Sequence, residues 1–168
     1  MKQVMKKTSA VLLAVVMMMA LVACGGGDTK ETVQKTVDDL QAKLTEAMSG
    51  YQNVFQNQGG LSDPTQAAEV IDKAGQMIED AISACDAVEA PGEDSQKYRD
   101  AVKGILEVLK SMMDELKGVD FTDSSAAMGV ASKYLSDMMS KSTDAQNLIN
   151  DLVKKYGITA PTNTTTAQ

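Results

Sequence analysis

The side chains able to do chemistry in this 168-residue chain are carboxylates, thioethers, two thiols and four phenols, with no histidine and no tryptophan. That inventory excludes several reactions. A hydroxyl or thiol nucleophile needs a positioned base, commonly imidazole, so Ser/His/Asp and Cys/His catalysis are ruled out. Di-iron centres in helical bundles use Glu-x-x-His pairs, and these are ruled out too. Adjacent acids stand at Asp38-Asp39, Glu79-Asp80, Glu93-Asp94 and Asp114-Glu115. Neighbours on a helix diverge by about 100°, and these pairs lie mostly off the apolar positions, which reads as a solvated acidic surface. Asp120-Phe121-Thr122-Asp123-Ser124 lacks the glycine and the final glutamate of a calcium loop, and Gly25–Gly27 is no phosphate loop.

The softer ligands leave one metal to consider. Thioethers suit Cu(I), and Met112, Met113, Met138 and Met139, with Cys85 nearby, form the candidate set. Met77, Met112, Met128 and Met138 fall on apolar helical seams, where methionine serves as a flexible filler, so core packing is the favoured reading. Cys85 extends the Ile71/Ile78 line and reads as a buried, inert thiol. Tyr51, Tyr98, Tyr134 and Tyr156 lie on or beside seams, where a ring packs and its hydroxyl reaches water. The expectation is a protein without catalytic residues, metal or cofactor.

The other thiol has the most specific surroundings. Lys2, Lys6 and Lys7 precede an uncharged apolar run from Ala10 to Ala23. A spanning helix needs about 20 such residues, whereas a basic start, a shorter apolar run and a small residue describe a secretory signal. Its end, Leu21-Val22-Ala23-Cys24, resembles the lipobox of bacterial lipoproteins, Leu-x-(Ala/Gly)-Cys. The resemblance covers the first 25 residues. It implies that the Cys24 thiol receives a diacylglyceryl group, with palmitate-like chains, and that cleavage leaves Cys24 first. A buried methylene contributes about 0.8 kcal/mol and stable anchoring takes two chains, which a diacyl group supplies. Gly25 is not the Asp that resembles a Gram-negative inner-membrane retention signal, and Cys-Gly-Gly-Gly is similar to the start of many Gram-positive lipoproteins.

The chain carries 16 basic and 23 acidic side chains, a net −7, and losing Lys2, Lys6 and Lys7 with the leader takes it to −10. That balance argues against nucleic acid or an anionic membrane surface as partner. With Cys24 lipidated, Cys85 has no intrachain partner for a disulfide.

What remains must position these groups, and it reads as helix throughout. Asp28 with Glu31 offers a cap and a variant capping box, followed by Val33, Val37, Leu40, Leu44, Ala47, Tyr51 and Val54 in steps of four and three. Asp63-Pro64 starts a second helix, with Ala67, Val70, Ala74, Met77, Ala81, Ala84 and Val88 on its seam and a stop at Ala90-Pro91-Gly92. Glu93 begins a third, carrying Tyr98, Val102, Ile105, Leu109, Met112, Leu116 and Val119. Thr122 or Asp123 caps a fourth, with Met128, Ala131, Leu135, Met138, Ala145, Ile149, Leu152 and Tyr156 inward. Lys154, Lys155 and Gly157 close it.

The expected architecture is all-α, an antiparallel up-down-up-down four-helix bundle at residues 28–158. A signal peptide occupies 1–23, the lipidated cysteine and glycine tether 24–27, and a disordered Pro/Thr tail 159–168. The expected role is a lipid-anchored, extracytoplasmic, non-enzymatic binding module of the cell envelope. It would be held to the bilayer through Cys24 and partnered by another envelope protein. The alternative is a bundle carrying a small apolar ligand or soft metal. Topology puts the turns at 56–63 and 118–123 far from the bilayer and residues 89–95 near it.

Overall fold

The computed structural model describes residues 27–56, 64–121 and 123–161. Four helices follow in order: α1 (Lys30–Gln56), α2 (Pro64–Asp86), α3 (Glu93–Leu116) and α4 (Ser124–Tyr156). No strand occurs among the described residues. Sequential helices pack together, and α3 is the central rod, touching α1, α2 and α4. Helix α4 leans mainly on α3, meets α1 over a short stretch and does not reach α2.

A rod with three neighbours must bury a wide arc, and the composition of α3 allows it. Ile105 and Leu106, then Met112 and Met113, are adjacent buried pairs, each pair pointing about 100° apart. With Val102, Leu109 and Leu116 they meet Val33, Val37 and Leu40 of α1, Ile71 and Ile78 of α2, and Ile149 and Leu152 of α4 in one cluster. Each such side chain contributes about 1.5–3 kcal/mol on burial. Outside this core, Asp86–Lys103 (2.6 Å), Glu79–Lys110 (4.0 Å) and Asp72–Lys117 (3.0 Å) form an antiparallel ladder between α2 and α3, one rung per heptad.

Most helix boundaries follow the local chemistry. Asp123 caps α4 by accepting from the Ser125 amide at 2.9 Å. Gly157 ends the helix at φ 65, a left-handed conformation that a side chain disfavours, and its amide bonds Val153 O. Helix α2 stops at Asp86, before the Ala90-Pro91-Gly92 breaker, because Ala87 and Val88 tighten into i→i+3 bonds to Ala84 and Cys85. The expected α1 cap differs. Thr29 rather than Asp28 closes the helix: the Thr32 amide donates to Thr29 Oγ1 and the Thr29 amide to Thr32 Oγ1, a reciprocal box. Asp28 is engaged elsewhere.

The inward face of α4 also differs from the expected one. Met128 is 69% exposed and Leu135 58%, whereas Val130 is buried and Ala127, Tyr134 and Met138 pack on the core. Two apolar stripes run along the first half of this helix. The one on Ala127, Val130, Tyr134 and Met138 continues smoothly into Ala145, Ile149 and Leu152, and this is the stripe that α4 lays on the core.

Candidate functional site

Cys24, Leu21 and Ala23, the residues that resemble a lipobox, lie outside the described residues. The described residues begin at Gly27, and the end of the bundle beside it carries several ties between elements distant in sequence.

Helix α3 begins at Glu93 behind a glycine, Gly92, which offers no capping side chain. The first amides of a helix have no internal partner. Here the missing cap comes from Asp28, more than sixty residues earlier. Its Oδ2 accepts from the Asp94 amide at 2.9 Å and the Ser95 amide at 3.3 Å, and its Oδ1 accepts from the buried Ser95 hydroxyl. The glycine is what admits it. A Cβ on Gly92 would stand 2.4 Å from Asp28 Cγ and 2.7 Å from its backbone nitrogen, distances that no folded chain tolerates.

Asp94 carries the tie onward to α4. Lys155 Nζ lies 2.5 Å and Tyr156 Oη 2.7 Å from Asp94 Oδ2. These bonds, from Lys155 first and then Tyr156, hold the Asp94 carboxyl below its usual range. The α1–α2 side is closed by buried Thr36, whose hydroxyl reaches Glu89 O at 2.7 Å and shares its proton with Thr32 O. Past α4, the Gln34 amide both donates to Thr159 O (3.2 Å) and accepts from the Thr159 amide (2.7 Å). Thr159, placed in the tail by the sequence, is therefore held; residues 162–168 lie outside the described residues.

The far end of the α3–α4 pair repeats the grip. Lys133 Nζ (2.6 Å) and Tyr134 Oη (2.8 Å) both bond Glu115 Oε2, and this carboxyl too is held low, by Lys133 and then Tyr134. In each Lys-Tyr pair the ammonium sits 5.2 Å from the ring centroid of its neighbour. The two pairs are about six turns apart on α4, matching the separation of Glu115 and Asp94 on α3. Tyr134 and Tyr156 each pack the ring and give the hydroxyl to a carboxylate rather than to water. A Lys-Tyr dipeptide recurring at whole-turn spacing was the available signal.

The remaining candidates are dispersed. Cys85 is fully buried and burial pushes its thiol pKa up, so the thiolate that a nucleophile or ligand needs is disfavoured. The charges nearest it are Asp86, Lys103, Lys43 and Arg99, which places it beside the first half of α3. Met112 and Met113 are about ten residues further along, roughly 15 Å at 1.5 Å per residue. Met112 and Met113 are in the core, Met138 is half-buried and Met139 is 63% exposed. Met77 and Met128, expected on seams, are exposed as well. The adjacent acids each divide between separate partners: Asp39 pairs with Lys35, Asp38 accepts from Gln34, Asp80 accepts from Gln76, and Asp114 pairs with Lys110. No group of three His, Cys, Asp or Glu side chains suited to a metal occurs among the described residues.

Among the surface grooves of the described residues, two lie along α1. One, of about 850 Å³, is open, running along Gln34, Asp38, Gln41, Thr45 and Ser49 of α1 with Thr159–Pro161 at its foot. The smaller, about 210 Å³, lies between α1 and α2 and is lined by Lys43, Glu46, Met77, Asp80, Ala81 and Ala84. Neither is lined by tyrosine, by Cys85 or by the Met112/Met138 region. No helix among the described residues is long and apolar enough to cross a membrane. Comparison with family models, with curated proteins and with solved structures gave no match.

Proposed function

We propose that this chain is a lipoprotein of the cell envelope. Lipid on Cys24 anchors it to the outer face of the cytoplasmic membrane, where it works as a non-enzymatic binding module for another envelope component. The observation that carries the reading is the coincidence, in the first 24 residues, of a basic start, a fourteen-residue apolar run and Leu21-Val22-Ala23-Cys24. A helical body beginning within a few residues of that cysteine supports a domain displayed at the membrane surface. Two acyl chains supply the anchorage that one does not.

The test is fractionation of cells fed a labelled fatty acid. The native chain is expected in the membrane fraction, carrying label and lacking residues 1–23. Cys24→Ala is expected unlabelled and uncleaved at that site. A native chain recovered from the cytosol with its leader intact would overturn the proposal. Crosslinking in intact cells, followed by identification of the attached protein, then names the partner.

A further inference from the structure

Topology puts residues 89–95 near the bilayer, and the Asp28 tie bears on how firmly the domain is held there. We propose that Asp28, seated on the start of α3 through the gap left by Gly92, makes the tether a fixed standoff. The end bearing Asp94, Ser95 and Lys155 then stays against the lipid headgroups, and the Glu115–Lys133 end is displayed outward. This inference rests on lipid attachment at Cys24 and adds to it a defined orientation.

Three observations support it. Only four peptide units separate Cys24 from Asp28, and they reach at most about 14 Å, so wherever Asp28 is fixed the anchor is close by. Asp28 is fixed to a different helix from the one it precedes, by two backbone amides and a buried hydroxyl. Asp94 passes the constraint to α4 through Lys155 and Tyr156. The tether thereby ends on three helices at once, where a tether running only into α1 would leave the body free to swing about Asp28 and Thr29 as well. Because the amides that Asp28 occupies are the orphan donors at a helix start, the tie adds no competing cost inside α3. It depends on one small residue, Gly92.

The experiment uses the full-length lipidated protein in vesicles of phosphatidylethanolamine and phosphatidylglycerol with an energy acceptor on the headgroups. A donor dye goes on Lys154→Cys, exposed near the tethered end, or on Ser132→Cys, exposed about 30 Å further along α4 at 1.5 Å per residue. Cys85 is buried and Cys24 blocked, so neither takes the dye. The native protein is expected to show transfer several-fold higher from position 154 than from 132. In Asp28→Ala and in Gly92→Ala the ratio is expected to fall toward one while sedimentation with vesicles is unchanged. Asp28 lies outside every helix, so its variant keeps the test sound if the glycine variant folds poorly. A native ratio near one, or a ratio unmoved by both substitutions, overturns the standoff while leaving the anchor in place. Failure of the native chain to sediment with vesicles overturns the anchor and the standoff together.

Discussion

The two ends of the α3–α4 pair share one device but differ in what surrounds it. At each end a Lys-Tyr dipeptide of α4 grips a carboxylate of α3, Lys155-Tyr156 on Asp94 and Lys133-Tyr134 on Glu115. At the Asp94 end the grip sits among further ties from Asp28, from Thr36 to Glu89 and from Gln34 to Thr159, above a core layer of Ala145, Ile149 and Leu152. At the Glu115 end α4 leaves Met128, Leu135 and Met139 in solvent. The same polar contact closes a packed junction in one place and merely pins a helix in the other. Local sequence makes the grip, whereas the packing around it decides what it is worth.

The sharpest way to break that contrast is by truncation on the same helix. Leu152→Ala removes a buried side chain and is expected to cost about 2–5 kcal/mol. Leu135→Ala, at 58% exposure, is expected to stay within about 0.5 kcal/mol; denaturant titration reads both. Equal losses would mean that the first half of α4 is packed as tightly as the second.

Glycine substitutions sharpen it next, with opposite signs. Gly92→Ala collides with Asp28 and is expected to cost about 0.5–2 kcal/mol through the lost cap. Gly129 of α4 has nothing within 4 Å of a built Cβ, and alanine there is expected to stabilise by about 0.4–1 kcal/mol. Thermal melts distinguish the two outcomes, and a gain at position 92 would deny the Asp28 contact.

The smallest expected effect is in acid, and it should be similar at both ends. Asp94 and Glu115 have folded values below the ordinary 3.8 and 4.5, so the stability they add is complete above those ordinary values. It drains only as the pH falls through the lowered ones. Lys155 and Lys133 are raised above 10.5, so their contribution is complete below that value and drains as the pH rises through the higher folded one. Between about pH 5 and 9 both grips should therefore be constant. Carboxyl titration by NMR is expected to place both midpoints low, and Tyr156→Phe and Tyr134→Phe should each move one of them upward.

The sequence made the four helices legible because each carries its seam and its punctuation locally: Glu93 after Pro91-Gly92, Asp123 before α4, Gly157 after Lys154-Lys155. Two features escaped for the same physical reason, that the deciding partner is distant along the chain. Asp28 and Thr29 are both good caps, and only the opening at Gly92 draws Asp28 away and leaves α1 to Thr29. Along α4 two stripes about a third of a turn apart were both apolar enough, and burial of the correct one depends on where α3 lies. The resemblance of Leu21-Val22-Ala23-Cys24 to a lipobox rests on consecutive residues alone, and these lie outside the described residues. Asp94 and Glu115 looked like ordinary surface acids until the Lys-Tyr pairs were placed against them.

Amide hydrogen exchange of the native protein, compared with Asp28→Ala, tests the Asp28 tie most directly. Amides in a helix's first turn ordinarily exchange fast, having no internal partner. Asp94 and Ser95 are predicted to be protected in the native chain and to exchange at least tenfold faster once Asp28 is replaced, with the amides of residues 128–139 unchanged. Equal exchange at Asp94 and Ser95 in both proteins would contradict the tie on which the fixed end of this molecule depends.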